Sequence, residues 1–546
     1  MQMSIDLSRR GFLGALGLGA VAVAGPSVLA GCRTNPKSTT STNPSAAADS
    51  LIPSYALKEY VKPDFPPPAN GYEKIPASFV KAYDKPPGSG STITAMTPLW
   101  GAIPKTTGNK YFDGINARLG SKITFQISDG NTYGDKLATV TASQKDLPDW
   151  LCLTTWSLPA RFADTAPDLF EDLTPYIGGD KVKEYPNLAS VPTDSWRYSV
   201  YNDTLIGIPM PDAGIPNPLF YRADLFEKFG VTELPKTPDE VLELAKELTD
   251  ARAGRYGCDD LWNQAQIFFA VPPTWKKDDS GKLVHRFETE EYRQALEWIA
   301  KLFKSGAVHP DAVAGNTGDA KTRFEAGKTL MLSDGIGGWA EALQRQLASN
   351  PEYSQLPMPV IGNGSGDPVI WKGAAMGIFS AIKKGTAEAK VKEILKLADF
   401  IAAPFGTEEY NLINYGIEGT HYTLDENKLP KMTELGAAEV QPTYLFLSSP
   451  APSIAKVQYP GFVKAYATWV NETASFYKEP LFYGMNITVP TKLASIGTPF
   501  DDLNKDIARG RKTLADLDKA IETWKKAGGE ELRTFYQKIL DETKPS

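Results

Sequence analysis

Hydrophobic positions in this chain follow two periods that alternate along much of its length. Residues 92–96 (Thr-Ile-Thr-Ala-Met), 122–127 and 149–154 are short apolar or β-branched runs, each fitting a buried strand. Between them, residues 113–119 and 133–143 carry apolar side chains at helical spacing. Strands that alternate with helices predict a parallel sheet. Residues 205–209 and 218–221 are short strands separated by Pro and Gly, a spacing that suits a crossover to a second lobe. Beyond residue 230 helices dominate. Thr237-Pro238-Asp239-Glu240 reads as a capping box with Pro at the first helical position. Val241, Leu242, Leu244, Ala245 and Leu248 then form its apolar face. Thr289 opens another helix, with Tyr292, Ala295, Leu296, Ile299, Ala300 and Phe303 inward and Gly306 past its end. Residues 329–333 and 375–382 read as strands, the first running into Asp334-Gly335-Ile336-Gly337-Gly338-Trp339. A helix from about residue 386 stops at Pro404, and the tail from Thr513 forms two amphipathic helices divided by Gly528-Gly529. No internal repeat is present.

The N-terminus departs from this pattern. Ser8-Arg9-Arg10-Gly11-Phe12-Leu13 precedes an apolar run over 14–28, closed by Leu29-Ala30-Gly31-Cys32. A charged segment, an apolar segment and small residues in that order make an export signal. The run is broken by Gly25-Pro26 and is short for a bilayer span. The paired arginines resemble a twin-arginine export signal, and residues 29–32 resemble a bacterial lipobox. That resemblance implies that Cys32 is lipidated and becomes the first residue of the mature chain. Residues 1–31 are therefore expected to be a signal peptide and 32–90 a flexible tether. Residues 35–50 are rich in Ser, Thr, Asn and Ala, and 63–68 and 86–87 add Pro-rich, stiff segments. Tyrosines in 55–60 and 72–83 are available to pack on the body, which begins at Ser91.

At 546 residues the chain has room for two or three lobes. Loss of residues 1–31 removes Arg9, Arg10 and Asp6 and leaves 56 basic against 64 acidic residues, a net charge of −8. This balance argues against nucleic acid and against a polybasic membrane patch. Of three cysteines, the lipobox takes Cys32, so no disulfide framework is available; Cys152 and Cys258 could form one disulfide, and are expected instead as buried thiols in different lobes.

The catalytic motifs fail one by one. The three histidines, His285, His309 and His421, form no His-Glu-x-x-His motif, and no Cys/His spacing suits zinc. Gly327-Lys328-Thr329 lacks the first P-loop glycine, since Thr322 stands there. Residues 362–366 lack the strand-to-helix setting of a nucleophile elbow. Carboxylates are plentiful, yet nothing singles out a glycosidase pair. An enzyme is not expected.

Several stretches in order resemble the extracellular solute-binding proteins of ABC importers, in particular their large oligosaccharide-binding lipoproteins. Leu219-Phe220-Tyr221-Arg222-Ala223-Asp224-Leu225-Phe226-Glu227-Lys228-Phe229-Gly230 is similar to that family's post-hinge strand and helix. Phe324-Glu325-Ala326-Gly327-Lys328-Thr329-Leu330-Met331 is similar to a later strand entry, and Tyr415-Gly416-Ile417-Glu418-Gly419-Thr420-His421-Tyr422 is the most specific of the three. The resemblance implies an α/β periplasmic-binding-protein type II fold, two lobes joined by a multi-crossing hinge. Lobe 1 is then expected from 91–211 and 372–435, lobe 2 from 212–371 and 436–546. It further implies a lipid-anchored, monomeric receptor outside the cytoplasm. Such a receptor closes on an oligosaccharide and delivers it to ABC permease subunits. No cofactor is expected. Similar alginate-oligosaccharide binders carry a calcium loop where this chain reads Thr249-Asp250-Ala251-Arg252-Ala253-Gly254-Arg255-Tyr256-Gly257-Cys258-Asp259-Asp260; the alternate oxygen ligands are missing, so no metal is expected there.

A sugar site needs flat aromatic platforms beside side chains that pair hydroxyls. Ligands in open α/β sheets bind beyond the carboxyl ends of strands, where Trp100, Trp156 and Trp339 fall. Trp262 and Trp371 complete the aromatic set, and Asp129, Asn131, Asp212, Asn263, Asp334 and Glu418 are the expected hydroxyl partners. A core role for each Trp, and a structural role for His421, stay open. So do a peptide or other solute receptor, a secreted glycan-active enzyme and a surface adhesin. A cleft with several exposed Trp faces would favour a sugar, and one lined by Arg or backbone donors a peptide.

Overall fold

The computed structural model describes residues 48–159, 161–364 and 367–542. The signal peptide, Cys32 and the start of the tether lie outside these residues. Two sheets organise the rest. Their strands are β1 (Thr92–Leu99), β2 (Lys122–Asp129), β3 (Trp150–Thr154), β4 (Gly207–Pro211), β5 (Leu219–Arg222), β6 (Tyr256–Cys258), β7 (Thr329–Ser333), β8 (Gln355–Pro357) and β9 (Met376–Ile382). Lobe 1 has the order β2-β1-β3-β9-β4, and lobe 2 the order β8-β5-β7-β6. β1, β2 and β3 run parallel, and β9 returns antiparallel to β3 and β4. In lobe 2, β6 and β7 are parallel while β5 opposes β7. Each sheet is covered by helices whose apolar stripes make one large core per lobe. Cys152 and Cys258 are free thiols, one in each core.

Registers fix which strand ends face the hinge. The chain leaves lobe 1 after β4, enters lobe 2 at β5, and comes back from β8 to β9. Thr154 at the end of β3 pairs with Ile378 near the start of β9, and Ser333 at the end of β7 pairs with Leu219 at the start of β5. The carboxyl ends of β1–β3 and of β6–β7 therefore point to the interlobe side. The first two crossings are joined by backbone hydrogen bonds, Asp212 N to Ala375 O at 2.8 Å and Gly373 N to Gly214 O at 3.0 Å. The third crossing comes later than the sequence pattern suggests. Tyr444 and Leu447 are buried in the lobe 1 core, so residues 436–447 lie with lobe 1; the first lobe 2 helix after them is Phe462–Ala474.

Residues 50–83 are laid against the body. Leu51, Ile52 and Ala56 pack on the lobe 1 core, Phe65 and Ala69 on a lobe 2 cluster, and Tyr72 N donates to Ile454 O of the third crossing at 2.8 Å. The C-terminal part also touches both lobes. Phe482 packs on lobe 2, while Gly484 N donates to the Tyr198 hydroxyl at 2.9 Å and Asn486 Nδ2 to Val200 O at 2.9 Å.

Candidate functional site

On lobe 1, the turns after β1, β2 and β3 converge. Asp129 ends β2 and is exposed, its Oδ1 accepting the amide of exposed Asn131 at 2.7 Å. Gly130 between them lets the Trp100 ring lie against the backbone, because a Cβ there would run into that ring. Trp156 sits in the single turn Thr155–Ser157 after β3 and is 61% exposed. Its ring centroid is 6.1 Å from that of Trp100, with the planes 46° apart. Phe446, from the approach to the third crossing, meets Trp100 edge-on at 5.7 Å. A large indole left open to water beside a second one is a ready stacking surface.

On lobe 2, the chain after β6 supplies Asp260, Trp262 and Asn263. Trp262 is half-buried, edge-on to Tyr292 at 5.9 Å, and Asn263 is exposed. Asp260 Oδ1 accepts the Trp262 amide at 2.9 Å, and burial pushes its carboxyl above the ordinary range. Gln264 is buried and donates from Nε2 to Asn217 O at 2.8 Å and Ser333 Oγ at 3.0 Å. It thereby ties the end of β7 to the first crossing. Asp334, just past β7, pairs with Lys321 at 3.3 Å.

The crossings carry two more of the expected residues. Asp212 is open to solvent yet ringed by protein; burial raises its carboxyl, and Oδ1 accepts the Gly214 amide at 2.8 Å. Trp371 is half-buried, with Nε1 donating to Ala270 O at 3.0 Å. Its short strand Ile370–Trp371 runs parallel to Tyr477–Lys478.

Two expected residues fall elsewhere. Trp339 is 2% exposed and wedged among Phe220, Phe462 and Tyr466, with centroids 5.9, 4.7 and 5.9 Å away. The reason is local. The strand is followed by a helix, Gly337–Gln346, and Trp339, Ala342 and Leu343 form its inner face. As a sugar platform Trp339 is corrected to a core residue. Glu418 is exposed on the turn before Tyr422, and no described contact joins it to the Trp100–Trp156 group. His421 in the same motif is fully buried and structural. Its Nδ1 accepts the Ile417 amide at 2.9 Å, and Nε2 lies 3.2 Å from Glu439, which caps the helix Lys110–Leu119 by accepting the Lys110 amide at 2.9 Å. Sequence reasoning missed Asp260, Gln264, Asn217 and Phe446. Asp260 and Gln264 flank Trp262 and Asn263 and were within reach of the same strand-end argument; Phe446 meets Trp100 only through the tertiary fold.

The sequence matches the bacterial extracellular solute-binding protein family over residues 92–406. It is 25% identical over 398 residues to the polygalacturonan/rhamnogalacturonan-binding protein YtcQ of Bacillus subtilis (strain 168), covering 67% of this chain and 76% of that protein. It is 23% identical over 489 residues to lipoprotein LipO of the same organism, covering 84% and 94%. The solved structure of alginate-binding protein AlgQ2 without calcium ion superposes with a TM-score of 0.60 at 15% identity, covering 85% of this chain and all of that one. With a match over more than half of its length and the two-lobed sheet architecture that goes with it, the chain belongs to the bacterial extracellular solute-binding proteins and has their type II periplasmic-binding-protein fold.

Proposed function

We propose that this protein is the lipid-anchored receptor of an ABC importer, that it captures an oligosaccharide between its lobes, and that it delivers the sugar to the permease. The observation that carries the reading is the exposed Trp156 face beside Trp100, at the strand ends that point between the lobes. The apolar C–H face of a pyranose stacks on such a ring, while Asp129, Asn131, Asp212, Asn263 and Asp334 offer partners for hydroxyls. The polygalacturonan/rhamnogalacturonan-binding relative and the alginate-binding neighbour support a glycan over a peptide. Closure is a hinge motion about the crossings, driven by ligand contacts to both lobes. In this reading the protein acts as a monomer and makes and breaks no bond.

A panel of neutral and acidic oligosaccharides, titrated by calorimetry, tests the reading; if none binds while peptides do, it fails. Trp156→Ala is expected to remove about 1–3 kcal/mol of binding, roughly tenfold or more in affinity. The unliganded melting temperature should hardly move, because the ring is mostly outside the core. Equal affinity for wild type and variant would remove Trp156 from the site.

The anchor has its own test. Lipidation needs the Cys32 thiol, so Cys32→Ala should shift the protein from the membrane fraction to the soluble one while ligand titration stays unchanged. Continued partition into detergent would refute the lipobox reading.

A further inference from the structure

We propose that the captured glycan is acidic, and that Arg286 of lobe 2 together with Lys456 of the third crossing supplies the counter-charge for its carboxylates. The proposal rests on the oligosaccharide reading above and names the class of sugar.

Protein-ringed cations in this molecule usually have an acid beside them. Arg323 pairs with Asp259 at 2.7 Å, Arg222 with Asp224 at 2.6 Å and Arg533 with Glu288 at 2.8 Å. A charge taken out of water without such a partner is costly. Arg286 and Lys456 are exceptions among the described residues, since neither has a carboxylate within ion-pair distance.

Arg286 is tied directly to the aromatic wall after β6. Its guanidinium lies over the Tyr292 ring at 5.5 Å, and Tyr292 is the ring that meets Trp262. Nη2 donates to Oε1 of Gln266, one helical turn beyond Trp262, and Nη1 to Pro273 O at 3.0 Å. Nε is buried and has no partner. All three contacts are neutral. Asp501 of the helix Pro499–Ala508 is the acid that faces it, outside pairing range, while His285 next to it is buried and held far below its ordinary pKa. The fork of a guanidinium matches the two oxygens of a carboxylate, so a uronate stacked on Trp262 would pair with the Nη edge, where the bond to Pro273 O is exposed, while Nε stays sealed in the protein.

Lys456 lies where the third crossing passes between the lobes. Its ammonium donates to Asn414 Oδ1 of lobe 1 at 3.3 Å. Burial lowers its pKa, and Glu341 of the lobe 2 helix Gly337–Gln346 is the acid that partly offsets this. A bound carboxylate would restore the missing charge balance.

The test uses trigalacturonate and its trimethyl ester, which differ only in charge and three methyl groups, titrated into the detergent-solubilised full chain. The acid should bind at least tenfold more tightly than the ester, with a preference that shrinks as salt rises. Arg286→Gln should remove most of that preference and Arg286→Lys should retain part of it; Lys456→Gln should reduce it independently. Equal affinity of the wild type for acid and ester, or a preference that survives Arg286→Gln, overturns the proposal. The wild-type comparison requires no variant to fold. Binding of neutral oligosaccharides with none of either galacturonate also overturns it, while leaving the receptor reading in place. Failure of every oligosaccharide, neutral or acidic, removes both.

Discussion

Trp339→Ala should destabilise lobe 2 by about 3–5 kcal/mol, the cost of emptying an indole site in a packed core. The ring is 2% exposed, and its neighbours come from three parts of the chain: Phe220 on β5, Phe462 and Tyr466 on the helix Phe462–Ala474, and Leu332 on β7. These cannot all move in to fill the void, since Phe220 is pinned in the sheet by the pairing of β5 with β7 and β8. Chemical denaturation of the unliganded protein should show the loss, and ligand affinity well below the transition should stay near that of wild type. The opposite pair of results, unchanged stability with lost affinity, would return Trp339 to the binding surface. Trp156→Ala should show that second pattern, so the two variants measured side by side separate a core indole from an open one.

The contrast between these two tryptophans marks how far the sequence can be read. Both follow a strand, and the rule that ligands gather at strand ends treats them alike. What separates them is the element that comes next. After β3 the chain makes one short turn that leaves Trp156 outside, whereas after β7 a ten-residue helix carries Trp339 inward. Positions 339, 342 and 343 already had the spacing of an inner helical face, but Gly337 and Gly338 obscured the helix start. Elsewhere local chemistry sufficed. Thr329–Ser333 is the strand expected, and Leu514–Trp524 and Glu530–Glu542 are the two tail helices, separated by Gly528 at φ 128°. Thr237 does cap its helix by accepting the Glu240 amide at 3.2 Å, although the Glu240 carboxylate reaches back to Lys236 N at 2.7 Å rather than to the cap itself. Arg286 carried no signal at all, because the lack of a counter-ion is a property of what the fold brings near it, and that is not written in neighbouring residues.

Asp259→Ala is expected to cost about 3–5 kcal/mol, the penalty for leaving one member of a buried ion pair alone. Asp259 is 1% exposed at the end of β6. Arg323, on the helix Ala320–Glu325 that leads into β7, reaches it with Nε at 2.7 Å and Nη2 at 3.1 Å, and Nη2 also donates to Asn316 O at 2.9 Å. The pair therefore clamps the entry of β7 to the exit of β6, just before Asp260, Trp262 and Asn263 of the proposed site. Removing the carboxylate leaves the buried guanidinium with only the exposed Asp311 carboxylate, 3.9 Å from Nη1, whereas Asp259→Leu with Arg323→Met takes the buried pair away together. The double variant should recover most of the stability lost in the single one, as expected where desolvation offsets much of the attraction. The two variants should still differ from wild type in ligand affinity, because the Asp260 amide, which donates to Asp259 Oδ1 at 3.0 Å, loses its anchor in both. Denaturation midpoints and oligosaccharide titrations on the set of three would decide it: a single variant within about 0.5 kcal/mol of wild type, the range of an ordinary surface substitution, would mean that the pair does not fasten β6 to β7.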